Sequence, residues 1–540
     1  MSTAIRAGRP AILSAEQALA LVPDGASIAV GGTGPVLEPD LLLEALEQRF
    51  LQTGAPRDLT LVSPMLPGAR AGVGGLNAFA HAGMLRRVIG ASFSMQRHPR
   101  LLALLRDEAC EGYIVGMGTM VQLMTAAGAR KPGVWTSVGI GSFLDPRVEG
   151  GRMNARSRDD LARVVEVEGQ DWLFYPTIGV DVALLRGTTA DANGYVSFEE
   201  EPNSLGLLEI AQAVKARGGK VIVQVKRLAR AGSLDPRTVR IPGPLVDAIV
   251  VHPQQKQLCE TMADPLAGWN AFLAGAHKAD LSQMPRLTNT VQRIMMRRAA
   301  LALRPGQVIN LGAGVATQLP RIALEENILD RVVFTNEHGV FGGLMATALG
   351  GSFVPALNAD AVMDSAFQFN FYEGGGLDIT FLGIGEIDAA GNVNVSKFGN
   401  EWNGPGGFNT ITEHTPDLVF CGSLTSGGLR VAVDDGQLRI EQEGKHRKLV
   451  PRVEQITLNA SRAIARGQRI LYITERAVFR CDEQGLLLTE IAPGIDLDTQ
   501  IRPYVGFPLR VADELQTMDA RIFAQAGMRL DREFDTEEQR

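Results

Sequence analysis

Glu337 is the side chain of this 540-residue sequence with the best position for covalent chemistry. It follows the apolar run VVFT at 332–335, which predicts a buried strand, and it precedes the glycine-rich run 339–343, which predicts the opening of a helix. A carboxylate at a strand-to-helix turn lies where backbone N–H groups favour negative charge, and open α/β folds bind ligands at that edge of the sheet. The pattern therefore indicates either a nucleophile or an ordinary helix-capping acid.

Composition narrows the class of protein. A hydrophobic content of 45% with 21% charged residues is ordinary for a soluble globular protein, and the length predicts about two to four domains. The net charge of −7 and the lack of basic stripes argue against a nucleic-acid partner. The four cysteines have no CxxC spacing, so neither a metal site nor a disulfide framework is predicted. Because no apolar run approaches the roughly 20 residues that span a bilayer, we expect a cytoplasmic protein without a membrane partner.

The order of the elements predicts an α/β fold with mostly parallel sheets, since strand and helix patterns alternate. DGASIAVGGTG from Asp24 and PGQVINLGAG from Pro305 align at a constant offset of 281, and DANGYV from Asp191 resembles DAAGNV from Asp388. These echoes indicate that the two halves repeat one architecture. We predict an N-terminal domain at 1–252, a linker at 253–287 and a C-terminal domain at 288–540, with the active site at the domain junction.

An ordered set of sequence blocks across most of the chain resembles the fused family I coenzyme A transferases, of which acetate and propionate CoA-transferases are typical. The first half carries GGTG, LNAFAHAGMLRRVIG, KPGVWTSVGIGSFLDPR and LRGTTADANGYVSFEEE. The second half carries TNEHGVFGG, FYEGGGLDITFLG, GNVNVSKFG, NGPGGF and YITERAVF. Two departures from the family pattern, His338 beside Glu337 and Thr33 in the place of a phenylalanine, concern substrate preference more than the reaction.

The resemblance implies two similar open α/β domains and the transfer of CoA from a short-chain acyl-CoA to a free carboxylate. In this scheme Glu337 attacks the thioester, and a glutamyl-CoA thioester is the intermediate of a ping-pong reaction. The carboxylate must be ionised and shielded from water, which N–H groups at a helix start would help to achieve. His338 is interpreted as a structural or pocket-lining residue, because the scheme needs no proton transfer to the nucleophile. Coenzyme A is then a substrate rather than a resident cofactor, and we expect a homodimer or homotetramer whose partners are acyl-CoA and small carboxylic acids.

The same resemblance assigns further residues to the site. Gly407 is the predicted oxyanion donor, because a residue without Cβ lets its N–H approach the substrate closely. Lys397 is predicted to meet a phosphate of CoA, although an ordinary solvated lysine fits the pattern too. The remaining glycines that we expect to contact CoA or to line its channel are Gly68, Gly139, Gly141, Gly375, Gly376, Gly404 and Gly406.

Three other functions stay open at this point. The enzyme could transfer CoA to a larger or unusual carboxylate, or it could be an acyl-CoA hydrolase in which water replaces the acceptor acid. A non-catalytic ligand sensor would normally bring a DNA-binding segment, and the sequence has no helix-turn-helix pattern with basic surroundings.

Overall fold

The computed structural model describes residues 9–68, 74–259 and 270–539. These residues form two compact units. Unit 1 comprises the described residues within 1–277, 362–370 and 400–410, and unit 2 comprises 278–361, 371–399 and the described residues from 411 onward. Residues 260–269 of the predicted linker lie outside the described residues, and the predicted domain boundaries stay a prediction.

The described residues up to 277 alternate between strands and helices, as predicted. The strands are β1 Ala11–Leu13, β2 Ser27–Val30, β3 Leu59–Ser63, β4 Leu85–Gly90, β5 Glu111–Ile114, β6 Gly133–Thr136, β7 Arg163–Val167, β8 Gln170–Pro176, β9 Val182–Asp191, β10 Val196–Ser197, β11 Lys220–Ala229, β12 Val239–Ile241 and β13 Ala248–Val251. The helices are α1 Ala15–Leu19, α2 Asp40–Thr53, α3 Pro99–Arg106, α4 Met117–Gly128, α5 Leu207–Ala216 and α6 Asn270–Leu273.

From residue 278 onward the alternation continues, with more hairpins. The strands are β14 Val308–Leu311, β15 Val333–Asn336, β16 Val340–Phe341, β17 Leu344–Met345, β18 Ala356–Leu357, β19 Ala361–Val362, β20 Ile379–Gly383, β21 Glu386–Ile387, β22 Val393–Asn394, β23 Lys397–Phe398, β24 Glu401–Trp402, β25 Asp417–Cys421, β26 Thr425–Ser426, β27 Arg430–Asp434, β28 Gln437–Gln442, β29 His446–Arg447, β30 Arg469–Ile473, β31 Ala477–Asp482, β32 Gly485–Ile491 and β33 Arg510–Thr517. The helices are α7 Thr290–Ala300, α8 Leu319–Glu325, α9 Ser365–Glu373, α10 Phe408–Glu413, α11 Ala460–Ala465, α12 Leu497–Gln500 and α13 Leu530–Glu538.

Unit 1 is built on a sheet with the strand order β1-β13-β11-β9-β2-β3-β4-β5, and every pair along this path is parallel. The central strand β2 is buried at Ile28, Ala29 and Val30. Such continuous apolar strands are typical of a parallel sheet that is covered on both faces.

Unit 2 has a sheet of order β19-β16-β15-β14-β20-β25-β30-β31-β32-β33. The run from β15 to β30 is parallel, and the pairs β15/β16, β30/β31 and β31/β32 are antiparallel. The predicted fold class, α/β with mostly parallel sheets, is therefore confirmed. Among the described residues, no helix has both the length and the apolar character that crossing a membrane requires.

The predicted internal repeat appears at the centre of each sheet. Strands β2 and β14 begin at Ser27 and Val308, 281 residues apart, and each lies between two parallel neighbours. The second echo is also structural. The Asp191 carboxylate accepts the N–H groups of residues 193 and 195, and the Asp388 carboxylate accepts those of residues 390 and 392. The same aspartate-centred turn thus occurs once in each half.

Candidate active site

Glu337 lies at the tip of a β-hairpin formed by β15 and β16. Asn336 pairs with Val340, so the loop consists of the three residues 337–339. Gly339 has a φ of +94°, and its N–H donates to the Asn336 carbonyl at 3.2 Å. The prediction of a helix after Glu337 is therefore wrong. The glycine-rich run supplies the positive φ angles of tight turns between short strands, a use that composition alone does not separate from a helix start.

The Glu337 carboxyl is largely removed from water, with 8% of the residue exposed. Its Oε2 atom has no hydrogen-bond partner among the described residues. Burial raises the pKa of Glu337 to about 7, and the only opposing contribution is its own backbone N–H. Near neutral pH about half of the molecules therefore carry the ionised form. A carboxylate of raised basicity in a shielded place is a better nucleophile than a solvated glutamate.

The position of the hairpin is fixed by Asn336. Its Nδ2 donates to the carbonyl of Val354 at 3.1 Å and of Phe353 at 3.3 Å, and its Oδ1 accepts the N–H of His338 at 3.0 Å. One buried amide thus ties the residue before Glu337 to a neighbouring loop and shapes the turn after it. A nucleophile held in this way loses little freedom when substrate binds.

A buried polar network lies directly behind the hairpin, and sequence reasoning missed it. The Tyr372 hydroxyl is 2.7 Å from Thr335 Oγ1 and accepts from Asn310 Nδ2 at 3.2 Å, while Thr380 Oγ1 donates to Asn310 Oδ1 at 3.0 Å. Asn310, Thr335 and Thr380 belong to the adjacent parallel strands β14, β15 and β20. A signal was available, because each is a polar residue inside an otherwise apolar strand. Such residues need partners when they are buried.

His338 packs against Phe353 with the ring centroids 5.6 Å apart and an interplanar angle of 69°. Burial lowers the pKa of His338 to about 3. The imidazole is therefore neutral near pH 7 and supplies no positive charge to Glu337. This agrees with its interpretation as a structural or pocket-lining residue.

A pocket of about 570 Å³ opens in unit 2 at the carboxyl ends of β14, β20 and β25. Strand β14 has β15 on one side and β20 on the other, so the strand order reverses there. Open α/β sheets bind ligands at such a reversal. The lining includes Gly314, Gly383, Gly422 and Lys448, whose Nζ donates to the Ile384 carbonyl at 3.0 Å.

The predicted oxyanion segment belongs to unit 1. A Cβ on Gly404 would come within 2.9 Å of Ile114 Cδ1, so close packing there requires a glycine. The N–H of Gly406 already donates to the Ala91 carbonyl at 3.2 Å. Gly407 is buried and directly precedes helix α10. Packing therefore explains Gly404 and Gly406, whereas the role of Gly407 stays a prediction.

Internal contacts also account for the other two predicted regions of unit 1. The Gly68 N–H donates to the Gly34 carbonyl at 3.0 Å, so it is not free to meet a substrate in this arrangement. A Cβ on Gly139 would lie 3.1 Å from Leu144 Cβ, and the Gly141 N–H donates to Asp145 Oδ2 at 2.9 Å. Their contact with CoA stays a prediction.

The remaining predicted residues lie in unit 2. The N–H groups of Gly375 and Gly376 donate to the carbonyls of Tyr372 and Phe371 at 3.0 and 2.9 Å, which ends helix α9. Lys397 Nζ lies 3.5 Å from Glu454 Oε1 in a half-exposed ion pair. Such a pair contributes little to stability and can exchange for a phosphate.

The comparison with known proteins begins with the family. Residues 12–252 match the family model described as coenzyme A transferase. The chain is 38% identical to acetate CoA-transferase YdiF of Escherichia coli K12, with 96% of each chain covered. It is also 38% identical to caffeate CoA-transferase of Acetobacterium woodii, with 96% of this chain and 98% of that one covered.

Solved structures agree over the whole length. The apoenzyme of the acyl-CoA transferase YdiF from E. coli O157:H7 gives a TM-score of 0.91 at 37% identity, with 98% of this chain and 99% of that chain covered. The thioester complex of that protein with CoA gives 0.90 at 37% identity, with 97% and 98% covered. The shared fold is thus that of a fused two-half acyl-CoA transferase. This chain belongs to the coenzyme A transferase family, and the predicted class, an acyl-CoA:carboxylate CoA-transferase with CoA as a substrate, is confirmed.

Proposed function

We propose that this chain transfers CoA from a short-chain acyl-CoA to a free acid of the acetate or propionate type through a glutamyl-CoA thioester on Glu337. The observation that carries the proposal is the Glu337 carboxyl, which is buried at a hairpin tip with one oxygen unpartnered among the described residues. This is the arrangement that a nucleophile needs before substrate arrives, because no existing bond has to be broken first.

The reaction balances without a proton donor. The ionised Glu337 oxygen attacks the acyl carbonyl carbon, the C–S bond breaks, and CoA leaves as a thiolate. The thiolate then attacks the glutamyl carbonyl carbon of the resulting anhydride, the C–O bond breaks, and the first acid leaves as a carboxylate. The second acid repeats these steps in reverse. A shielded site limits hydrolysis of the anhydride and the thioester.

Oxyanion stabilisation is assigned to the backbone N–H of Gly407, which directly precedes helix α10 in unit 1. Loss of such a donor typically costs about 10²–10³ in rate. The channel residues Gly139, Gly141, Gly375, Gly376 and Lys397 are proposed to act around CoA. Gly68, Gly404 and Gly406 contribute through the turns that they make possible rather than through free N–H groups.

The pocket at the carboxyl ends of β14, β20 and β25 is proposed to receive part of the CoA molecule, because it lies where the strand order reverses. Gly383 gives a direct test, since a Cβ there would meet only the Ala313 carbonyl, at 3.7 Å. We expect Gly383→Leu to fill the pocket and raise the KM for the acyl-CoA, with Gly383→Ala as the small control. An unchanged KM in both variants would remove the pocket from the proposal.

A second candidate, transfer to a larger carboxylate, is favoured by one observation. The relative named caffeate CoA-transferase has the same identity, 38%, as the relative named acetate CoA-transferase. Initial rates with a panel from acetate to an aromatic acrylate decide between them. The proposed short-chain preference requires kcat/KM to fall as the acid grows.

Mass determination after incubation with acyl-CoA and no acceptor acid tests the nucleophile. We expect a CoA-sized adduct on the peptide that contains Glu337, absent in Glu337→Gln and present in the control Glu483→Gln, whose side chain is exposed. An adduct on another residue would overturn the assignment. We further propose a cytoplasmic homodimer or homotetramer, which light scattering of the purified chain measures directly.

A further inference from the structure

Unit 1 holds a second buried glutamate, Glu38, in the turn that joins β2 to helix α2. Only 2% of the residue is exposed. Its Oε1 atom accepts the N–H of Gly75 at 2.8 Å, and its Oε2 atom has no hydrogen-bond partner among the described residues. One carboxyl group therefore reaches from the first glycine turn of the chain to a second turn, at 74–79.

The contact with Gly75 continues into a third turn. A Cβ on Gly75 would lie 2.4 Å from the Gly68 Cα, so the two backbones touch and neither turn can shift without the other. The Gly68 N–H donates to the Gly34 carbonyl at 3.0 Å, and the Gly34 N–H donates to the Leu66 carbonyl at 2.6 Å. Glu38 thus fastens one end of a closed set of contacts among the turns at 31–38, 66–68 and 74–79.

Glu38 itself is held from behind. Its backbone carbonyl accepts from Arg186 Nη1 at 3.3 Å. Arg186 is also buried, and its Nε lies 3.3 Å from Glu201 Oε1. Because the guanidinium is already committed to these partners, it compensates a charge on the Glu38 carboxyl only in part.

The surroundings of the carboxyl favour its neutral form. Burial raises the pKa of Glu38 to about 8, and the Asp40 carboxylate adds to the effect, whereas the Gly75 N–H and the arginines act in the opposite direction. The titratable and charged groups on the elements around it are Asp40, Arg97, His98, Arg186 and Cys259. Burial lowers the pKa of His98 to about 4, so its ring is neutral where Glu38 titrates. An ionised Glu38 would need water at Oε2, and water reaches it only if the 74–79 turn moves away.

We infer that Glu38 is a positioning residue, whose neutral carboxyl holds the turns 66–68 and 74–79 of unit 1 in the arrangement that CoA transfer requires. The inference rests on the proposed function, in which the turn at 66–68 serves the substrate. Ionisation of Glu38 releases these turns, so transfer declines on the alkaline side while Glu337 is fully ionised. The enzyme then works best in the range where one buried glutamate is ionised and the other is neutral.

The test is the pH dependence of kcat/KM in the wild type, Glu38→Gln and Glu38→Ala. We expect the wild type to lose about tenfold per pH unit above about pH 8, as a single ionisation requires. Glu38→Gln keeps an acceptor for the Gly75 N–H and cannot ionise, so it should lose the alkaline decline and keep the acid limb. Glu38→Ala removes the acceptor and should be slower at every pH. A purely packing role would leave the shape of the profile unchanged.

Two results would overturn the inference: an alkaline decline in Glu38→Gln equal to that of the wild type, or no decline in the wild type. Hydrogen exchange of the 74–79 turn supplies a readout without substrate. At pH 9 the turn should exchange faster in the wild type than in Glu38→Gln, and at pH 7 the two proteins should match. If no acyl-CoA is a donor for the wild type, the proposed function fails, and the exchange experiment still decides the role of Glu38.

Discussion

The two halves of the molecule share their central strands and differ at one position. In unit 1, β2 lies between β9 and β3, and in unit 2, β14 lies between β20 and β15, all in parallel. Strand β3 then pairs with the parallel strand β4, whereas β15 turns directly into the antiparallel strand β16. The proposed nucleophile lies at the tip of that hairpin. The chemistry is therefore assigned to the point where the repeat is broken.

The two buried glutamates sharpen this comparison. Burial is the largest cause of the raised pKa in both, to about 8 for Glu38 and about 7 for Glu337. Glu38 has a backbone donor from another turn and a second carboxylate, Asp40, nearby, whereas Glu337 has only its own backbone N–H. A raised pKa alone therefore does not identify a nucleophile. The distinction comes from what each carboxyl is already bonded to.

The largest expected effect separates these glutamates directly. Glu337→Gln removes the nucleophile, and we expect CoA transfer at pH 7 to fall by at least about 10³-fold. Glu38→Gln at the same pH replaces a neutral carboxyl with a neutral amide, so its rate should stay within about threefold of the wild type. Steady-state transfer between an acyl-CoA and acetate measures both. Equal losses in the two variants would contradict the different roles.

The acid limb of the pH profile gives the next largest effect. Because the pKa of Glu337 is raised to about 7, the reactive ionised form is lost as the pH falls below that value. At pH 6 we expect kcat/KM to be about tenfold below its plateau, in the wild type and in Glu38→Gln alike. A profile that stays flat down to pH 5 would mean that Glu337 is not the titrating nucleophile.

Much of the fold was predictable from the sequence, since apolar runs bounded by glycine turns define strands such as β2 and β14 and the repeat places them at equal positions. The turn after Glu337 was not predictable in this way. Gly339, Gly342 and Gly343 have positive φ angles in tight turns, and glycine clusters occur at helix starts as well. The choice between these was made by pairing with β15, which is a long-range contact.

The site divides along the same line. Glu337 was recognisable from its local context, whereas the partners of Thr335 and Asn310 depend on Tyr372, which is 37 residues beyond Thr335. Which glycine N–H groups are occupied was equally hidden, because the partners of Gly68 and Gly406 lie in distant turns. Short-range patterns thus identify reactive groups better than the contacts that hold them.

The polar network behind the hairpin gives a smaller effect that is confined to unit 2. Tyr372→Phe removes the hydroxyl and leaves Thr335 Oγ1 and Asn310 Nδ2 without that partner, at a cost of about 1–3 kcal/mol. We expect a thermal midpoint lower by about 2–6 °C and a several-fold lower kcat, because β15 carries Glu337. Tyr195→Phe, at an exposed tyrosine, is the matched control. A normal kcat in Tyr372→Phe would show that the network supports the fold but not the nucleophile.

The smallest effect on catalysis is expected where the halves agree. Asp191 and Asp388 each accept two backbone N–H groups in equivalent turns, and both residues are buried. Replacing either with alanine leaves those donors unpaired, so each variant should lose about 1–3 kcal/mol of stability. Because neither turn carries the nucleophile, kcat should stay within about twofold of the wild type for the folded fraction. Thermal unfolding and active-site titration with an acyl-CoA measure the two quantities separately. A loss of kcat in Asp388→Ala but not in Asp191→Ala would mean that the second turn has acquired a catalytic role, and the functional difference between the halves would then extend beyond the hairpin at Glu337.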